Sequence, residues 1–372
     1  MGLSKIFDWI HKRFFFCLIL SYLLAALFPQ IGLFLRNISF MQLDFVGIKE
    51  PLNFPLLQLF ILLFNGGFGV KLSELKEQFF KPFPLILGIL VNFILPLSLV
   101  SLYWLFSLPW HNPIERYNLY TGLVLIIAMP IAGSTLAWVQ NSNANLSLCL
   151  GMVILSTLLS PLLTPLIIHF CTFIAGKSVE TLFSNLDSQL NSQFLVLNIV
   201  LPSCLGVLAR LVAGDYRYKK FFPLIKHINE INLLILIYSN ATTSLPTAVH
   251  KPDMDFFLLI AIVTFLACLL RFISGLGISK IAGFGEPVKR TMTYTLGMNN
   301  NGMGLVVGNI VFSSQPDIFL PIILYNLFQQ LLAAYFYSLW TKKDNFLGSS
   351  SFTFSLFKKE NNKNSHFYKN NQ

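Results

Sequence analysis

Charge is scarce in this chain. Asp, Glu, Lys and Arg make up 11% of its 372 residues, where soluble domains carry roughly a quarter. Acidic residues are the scarcer sign, 16 against 26 basic. With 55% hydrophobic residues, such a composition excludes an ordinary water-soluble domain and points to an integral membrane protein. Cysteine is also sparse. Cys17, Cys149, Cys171, Cys204 and Cys268 lie in or beside apolar runs without C-x-x-C spacing, so they read as small packing residues and not as a disulfide or metal framework. The histidines form no H-E-x-x-H pair. The P-loop-like fragment AGKS at Ala175 to Ser178 has Cys171 where the first glycine belongs. No enzyme chemistry is legible, and the chain is read as not an enzyme.

What the sequence has in abundance is long apolar runs. Lys5, Lys12 and Arg13 precede the first, Phe14 to Leu35, which is too long for a signal-peptide core and reads as a retained span. The others are Phe54 to Val70, Pro82 to Phe106, Tyr117 to Val139, Asn145 to Ile174, Gln193 to Val212, Ile228 to Leu245, Phe256 to Ile281, Val288 to Phe312 and Ile318 to Trp340. Ten transmembrane helices predict both termini on one side. Of the 26 basic residues only Arg36, Lys49, Arg116, Lys177 and Lys251 then fall on the opposite side. The positive-inside rule therefore makes the termini cytoplasmic. The same distribution accounts for the net charge of +10 without a nucleic-acid partner.

Five plus five spans make an inverted repeat, 14–174 and 193–340, between a cytoplasmic N-terminus (1–13) and a disordered cytoplasmic tail (341–372). Inverted repeats predict interruptions at matched positions. The fourth span, LIIAMPIAGSTLAWVQ, carries Pro130 and Gly133; the ninth, TYTLGMNNNGMGLVVG, brackets Asn299, Asn300 and Asn301 with Gly297, Gly302 and Gly304. Three adjacent amides point about 100° apart on a helix and cannot all face one neighbour. The ninth span is expected to unwind and turn its backbone towards an internal polar cavity. Asn92 stands alone in the third span. Glu230 and Arg271 are placed near the cytoplasmic ends of the seventh and eighth, Arg271 as a snorkelling residue.

Four stretches carry a resemblance: GVKLSELKEQFFKPFPLILGILVNFILPL, NANLSLCLGMVILSTLLSPLLTP from Asn143, KRTMTYTLGM, and LGMNNNGMG from Leu296. In this order and spacing the chain resembles the bile acid:sodium symporter family. The resemblance implies an all-α fold with a panel domain (first, second, sixth and seventh spans) and a core domain in which the broken fourth and ninth helices cross. It implies that sodium and substrate bind near that crossing. One Na+ site would use Asn92, Asn299 and the carbonyls of Leu296 and Met298; the other would use Ser147 with Ser134 or Thr135. Two departures matter: Thr295 stands where the family places a carboxylate shared by both sites, and Gly151 stands where a threonine is common. A neutral Thr295 weakens the case for two-sodium coupling.

The expected function is secondary active transport of a small organic anion, bile-acid-like or an organic acid, across a plasma or inner membrane, with sodium coupling left open. A proton-linked or uncoupled carrier, with Glu230 as the titratable candidate, and a membrane ligand sensor are the alternatives. The expected partners are that anion and the lipid bilayer, with no obligate protein partner. No Lys or Arg stands within the breaks, so half-helix N–H groups are expected to hold the anion. Gly133, Ser134, Thr135, Asn300 and Asn301 are the expected contacts, with Asn300 donating to a carboxylate.

Overall fold

The computed structural model describes residues 13–45, 48–69, 82–176, 196–243, 245–250, 253–312 and 315–341. The N-terminal segment, the tail, and the loops holding Lys71 to Lys81 and Lys177 lie outside the described residues. Six described helices are each long and apolar enough to cross a membrane, seven if a bent pair is one span. The protein is a multi-pass, predominantly helical membrane protein.

The first apolar run is not one helix. α1 (Phe14–Leu27) and α2 (Pro29–Asn37) meet at 92°. Proline at 29 lacks the N–H a continuing helix needs, and it drives the residue before it out of the helical region. Phe28 accordingly has φ −129° and ψ 66°. The all-α expectation also fails locally: β1 (Ser39–Phe45) pairs antiparallel with β2 (Ile48–Asn53), Phe45 opposite Ile48. Met41, Leu43 and Phe45 alternate with Gln42 and Asp44, the period-2 pattern of a strand, in a stretch too short for its neighbouring apolar runs to reveal it.

α3 (Phe54–Phe68) follows, with the Asn53 side chain capping its start through the Leu56 N–H. α4 (Pro82–Phe106), α5 (Pro113–Ala128), α6 (Thr135–Asn141) and α7 (Leu146–Ala175) continue the chain. The sixth and seventh runs were expected to be separated by a loop after Val212. They are two separate spans, Val196–Tyr218 and Lys220–Ala241, but no long loop parts them: helix α8 (Leu201–Ala241) follows a π-helical turn at Val196–Val200 and is broken by a kink at Gly214, whose φ of 70° only glycine adopts readily. Next come α9 (Leu245–His250), α10 (Met254–Ile281), α11 (Glu286–Gly297) and α12 (Asn301–Val311). A 3-10 turn, Pro316–Ile318, leads into α13, residues 319–341.

α3 lies directly on α8. A Cβ added at Gly67 would come within 2.0 Å of the Ser203 carbonyl, and one at Gly206 within 2.0 Å of the Phe64 carbonyl, so glycines let the two backbones touch. Further along, Asn65 donates to Asn229 (2.8 Å), and Asn232 donates to the Gln58 carbonyl (2.7 Å). Elsewhere burial separates lipid-facing from interior helices. α4 exposes Phe83, Ile86, Leu90 and Ile94, whereas α5 and the second half of α11 bury most of their side chains. The interior where α5, α11, α12 and α13 meet is where both interruptions fall.

Candidate functional site at the two helix breaks

α5 stops at Ala128 because Pro130 forces Met129 into extended backbone, φ −84° and ψ 146°. α11 stops at Gly297, and Met298 is extended at φ −120° and ψ 115°. The two extended segments run side by side. Ile131 and Asn299 form an isolated antiparallel bridge; the Asn300 N–H donates to the Pro130 carbonyl (2.9 Å) and the Ala132 N–H to the Met298 carbonyl (3.1 Å). Each break thus supplies part of the backbone pairing that the other lost, as unwound chain away from water requires.

Neighbouring helices complete the accounting. From α7, Ser156 Oγ accepts from the Ile131 N–H (3.2 Å), and Thr164 Oγ1 donates to the Ala128 carbonyl (2.7 Å). From α13, Gln329 accepts from the Asn299 N–H (3.2 Å) and donates to the Asn299 carbonyl (3.3 Å). Asn299 Nδ2 donates to the Ile126 carbonyl in the last turn of α5 (2.6 Å). From α10, Arg271 Nε donates to the Leu296 carbonyl (2.7 Å).

Against the sequence expectations, Met298, Asn299 and Asn300 lie against Pro130, Ile131 and Ala132, while Leu296 and Asn92 are joined through Arg271, which donates from Nη2 to Asn92 Oδ1 (2.8 Å). Asn300 has a structural role beside the one expected of it. It precedes α12 and its Oδ1 accepts from the Met303 N–H (3.1 Å), so it is an N-cap. Asn301 is the freer amide: 1% exposed, with neither Oδ1 nor Nδ2 partnered within the protein. Thr135 Oγ1 and Asn299 Oδ1 are likewise buried and unpartnered.

Gly133 is exposed, and a Cβ there would meet nothing within 4 Å. Ser134 precedes α6 without a side-chain cap, and the N–H groups of Thr135, Leu136 and Ala137 donate to the carbonyls of Ala132, Gly133 and Ser134. The first break therefore turns few free N–H groups towards a ligand. Ser147, half-buried in the first turn of α7, has no hydrogen bond to either break among those described. The Thr295 hydroxyl donates back to the Thr291 carbonyl of its own helix (2.9 Å).

Arg271 was missed. It was read as a snorkelling residue and the breaks as free of basic side chains, yet it is 2% exposed and reaches the end of α11. No Asp or Glu stands in the third, fourth, fifth, eighth, ninth or tenth apolar run, and among the described residues Arg271 makes no ion pair. Its Nη1 has no hydrogen-bond partner within the protein. The polar side chains of Gln329, Ser156 and Thr164 were legible as polar positions in apolar spans, but not as partners of the breaks. Glu230, the titratable candidate, lies 3.6 Å from His227 one turn away on α8.

No curated protein gives a significant match to this chain. The sequence model of the Sodium Bile acid symporter family matches residues 56–250, a segment that includes the first break and ends before α10. That segment is just over half of the 372 residues, and on that match the chain belongs to the sodium bile acid symporter family.

Proposed function

We propose that this protein is a secondary active transporter of a small organic anion, bound where the two broken helices meet. The observation that carries the reading is the pairing of the breaks at Ile131 and Asn299, with fully buried, unpartnered polar groups on both: Thr135 Oγ1 on one side, Asn299 Oδ1 and the Asn301 amide on the other. Buried polar groups without partners are costly, and a ligand that supplies the missing partners recovers that cost. Arg271 favours an anion, because its buried charge has no carboxylate beside it among the described residues and an incoming carboxylate would offset it. Membership of the symporter family supports transport over passive ligand sensing.

The test is a melting screen of the purified full-length protein against taurocholate and short mono- and dicarboxylates, with uncharged and cationic analogues as controls. A carboxylate is expected to raise the midpoint, and Asn301→Ala to weaken its affinity about tenfold, the loss of one hydrogen bond to a charged group. Stabilisation by cationic ligands alone would reject the anion site. Asn300→Ala removes a helix cap and is expected to lower stability by about 1 kcal/mol with a smaller effect on affinity.

The architecture proposed for this transport is ten spans in two inverted repeats, with both termini cytoplasmic. The two breaks fall in the fourth and ninth apolar runs, one per repeat, which supports it. Reporter fusions at Lys177 and Lys342, both outside the described residues, are expected on opposite sides of the membrane. Finding them on the same side overturns the repeat.

A further inference from the structure

Arg271 lies well inside α10, a 28-residue helix, and its side chain points away from both lipid and water. Its guanidinium links two oxygens from different elements: the Leu296 carbonyl through Nε and Asn92 Oδ1 through Nη2, at 2.7 and 2.8 Å. The carbonyl belongs to the last turn of α11, where helix carbonyls lack helical partners and partial negative charge accumulates. A broken-helix C-terminus together with an amide oxygen is a donor set suited to a hard cation. Here the cation is part of the chain.

The sodium site implied by the resemblance fits poorly for that reason. Of its four expected donors, Asn92 Oδ1 and the Leu296 carbonyl already accept from Arg271, and the Met298 carbonyl accepts from the Ala132 N–H. Only Asn299 Oδ1 accepts no hydrogen bond. Thr295 supplies no charge and turns its hydroxyl to its own helix.

We infer that Arg271 is a tethered cation standing between Asn92 and the end of α11 in the place of a coupling ion, so that this position binds no sodium. Its consequence for transport rests on the function proposed above: sodium entering at this position does not drive uptake of the anion, because the guanidinium already fills it. Arginine keeps its charge and presents several donors in a fixed plane, which suits it to holding two oxygens at once.

The purified full-length protein is melted in sodium, potassium or choline chloride at equal ionic strength. The expected result is one midpoint in all three. Arg271→Ala combined with Thr295→Glu clears the two oxygens and adds a carboxylate; it is expected to gain a saturable, sodium-specific rise of about 4 °C. A folded double variant without that rise overturns the inference. So does a sodium-specific rise in the unmodified protein that Asn92→Ala abolishes, a result that does not require the double variant to fold. A sodium response that Asn92→Ala leaves intact arises elsewhere and agrees with Arg271 holding this position. The readout is cation binding, so failure of every anion in the melting screen would reject the transport reading without altering these outcomes.

Discussion

Gly275→Leu is expected to destabilise the protein by about 3 kcal/mol or more, at the top of the range for inserting bulk into a packed interior. A Cβ at this position would lie 2.6 Å from the Met292 carbonyl oxygen, 2.6 Å from Thr293 Cα and 2.7 Å from the Thr293 nitrogen. These are backbone atoms of α11, which cannot rotate aside, so α10 and α11 would have to separate. The two helices run antiparallel, and the same close approach sets Arg271, one turn before Gly275, level with Leu296, one turn after Met292. Separation would therefore also withdraw the guanidinium from the second break. Gly277 is the control: two residues along the same helix, a Cβ meets nothing within 4 Å, and Gly277→Leu is expected within about 0.5 kcal/mol of the parent. Melting both variants in one detergent checks the pair. Equal midpoints would mean that α10 and α11 are not in backbone contact.

Gln329→Leu is expected to cost about 3 kcal/mol, the penalty of leaving buried amide groups without partners. This side chain from α13 bonds both the N–H and the carbonyl of Asn299, and it also donates to Asn326 (3.2 Å). Leucine keeps much of the volume and none of the bonds. The Asn299 carbonyl retains the Asn301 N–H (2.8 Å), but its own N–H would have no acceptor. Hydrogen exchange at Asn299 should accelerate, and ligand affinity should fall with stability because Asn299 and Asn301 share the disturbed segment. Unchanged exchange at Asn299 would show that the second break does not depend on α13.

Much of the fold was legible because a bilayer constrains sequence strongly. A span needs about twenty apolar residues, and α4, α7, α10 and α13 fall within a few residues of the runs that announced them. The breaks were legible for a related reason. Pro130 removes a donor and restricts Met129, and Asn299 to Asn301 cannot all be satisfied from one face of a helix, so these residues exclude a continuous span whatever surrounds them. The bend at Pro29 follows the same chemistry and could have been read. The hairpin could have been read from its alternation at Met41, Leu43 and Phe45, had the apolar runs on either side not drawn the assignment.

Tertiary structure decided what the breaks bond to and where charge sits. Asn300 and Asn301 are adjacent amides of identical composition; one caps α12 and the other is buried without a partner, because α12 starts between them. Ser156, Thr164 and Gln329 bond to segments 25, 36 and 30 residues away, a separation that no local period encodes. Arg271 shows the limit most clearly. An arginine in an apolar helix can extend to the headgroups or turn inward, and its position along the helix is the same in both cases. By itself the sequence determined that a positive charge lies on α10. Gly275 brought that helix against α11, and only this contact placed the guanidinium on the buried Leu296 carbonyl at the end of a broken helix.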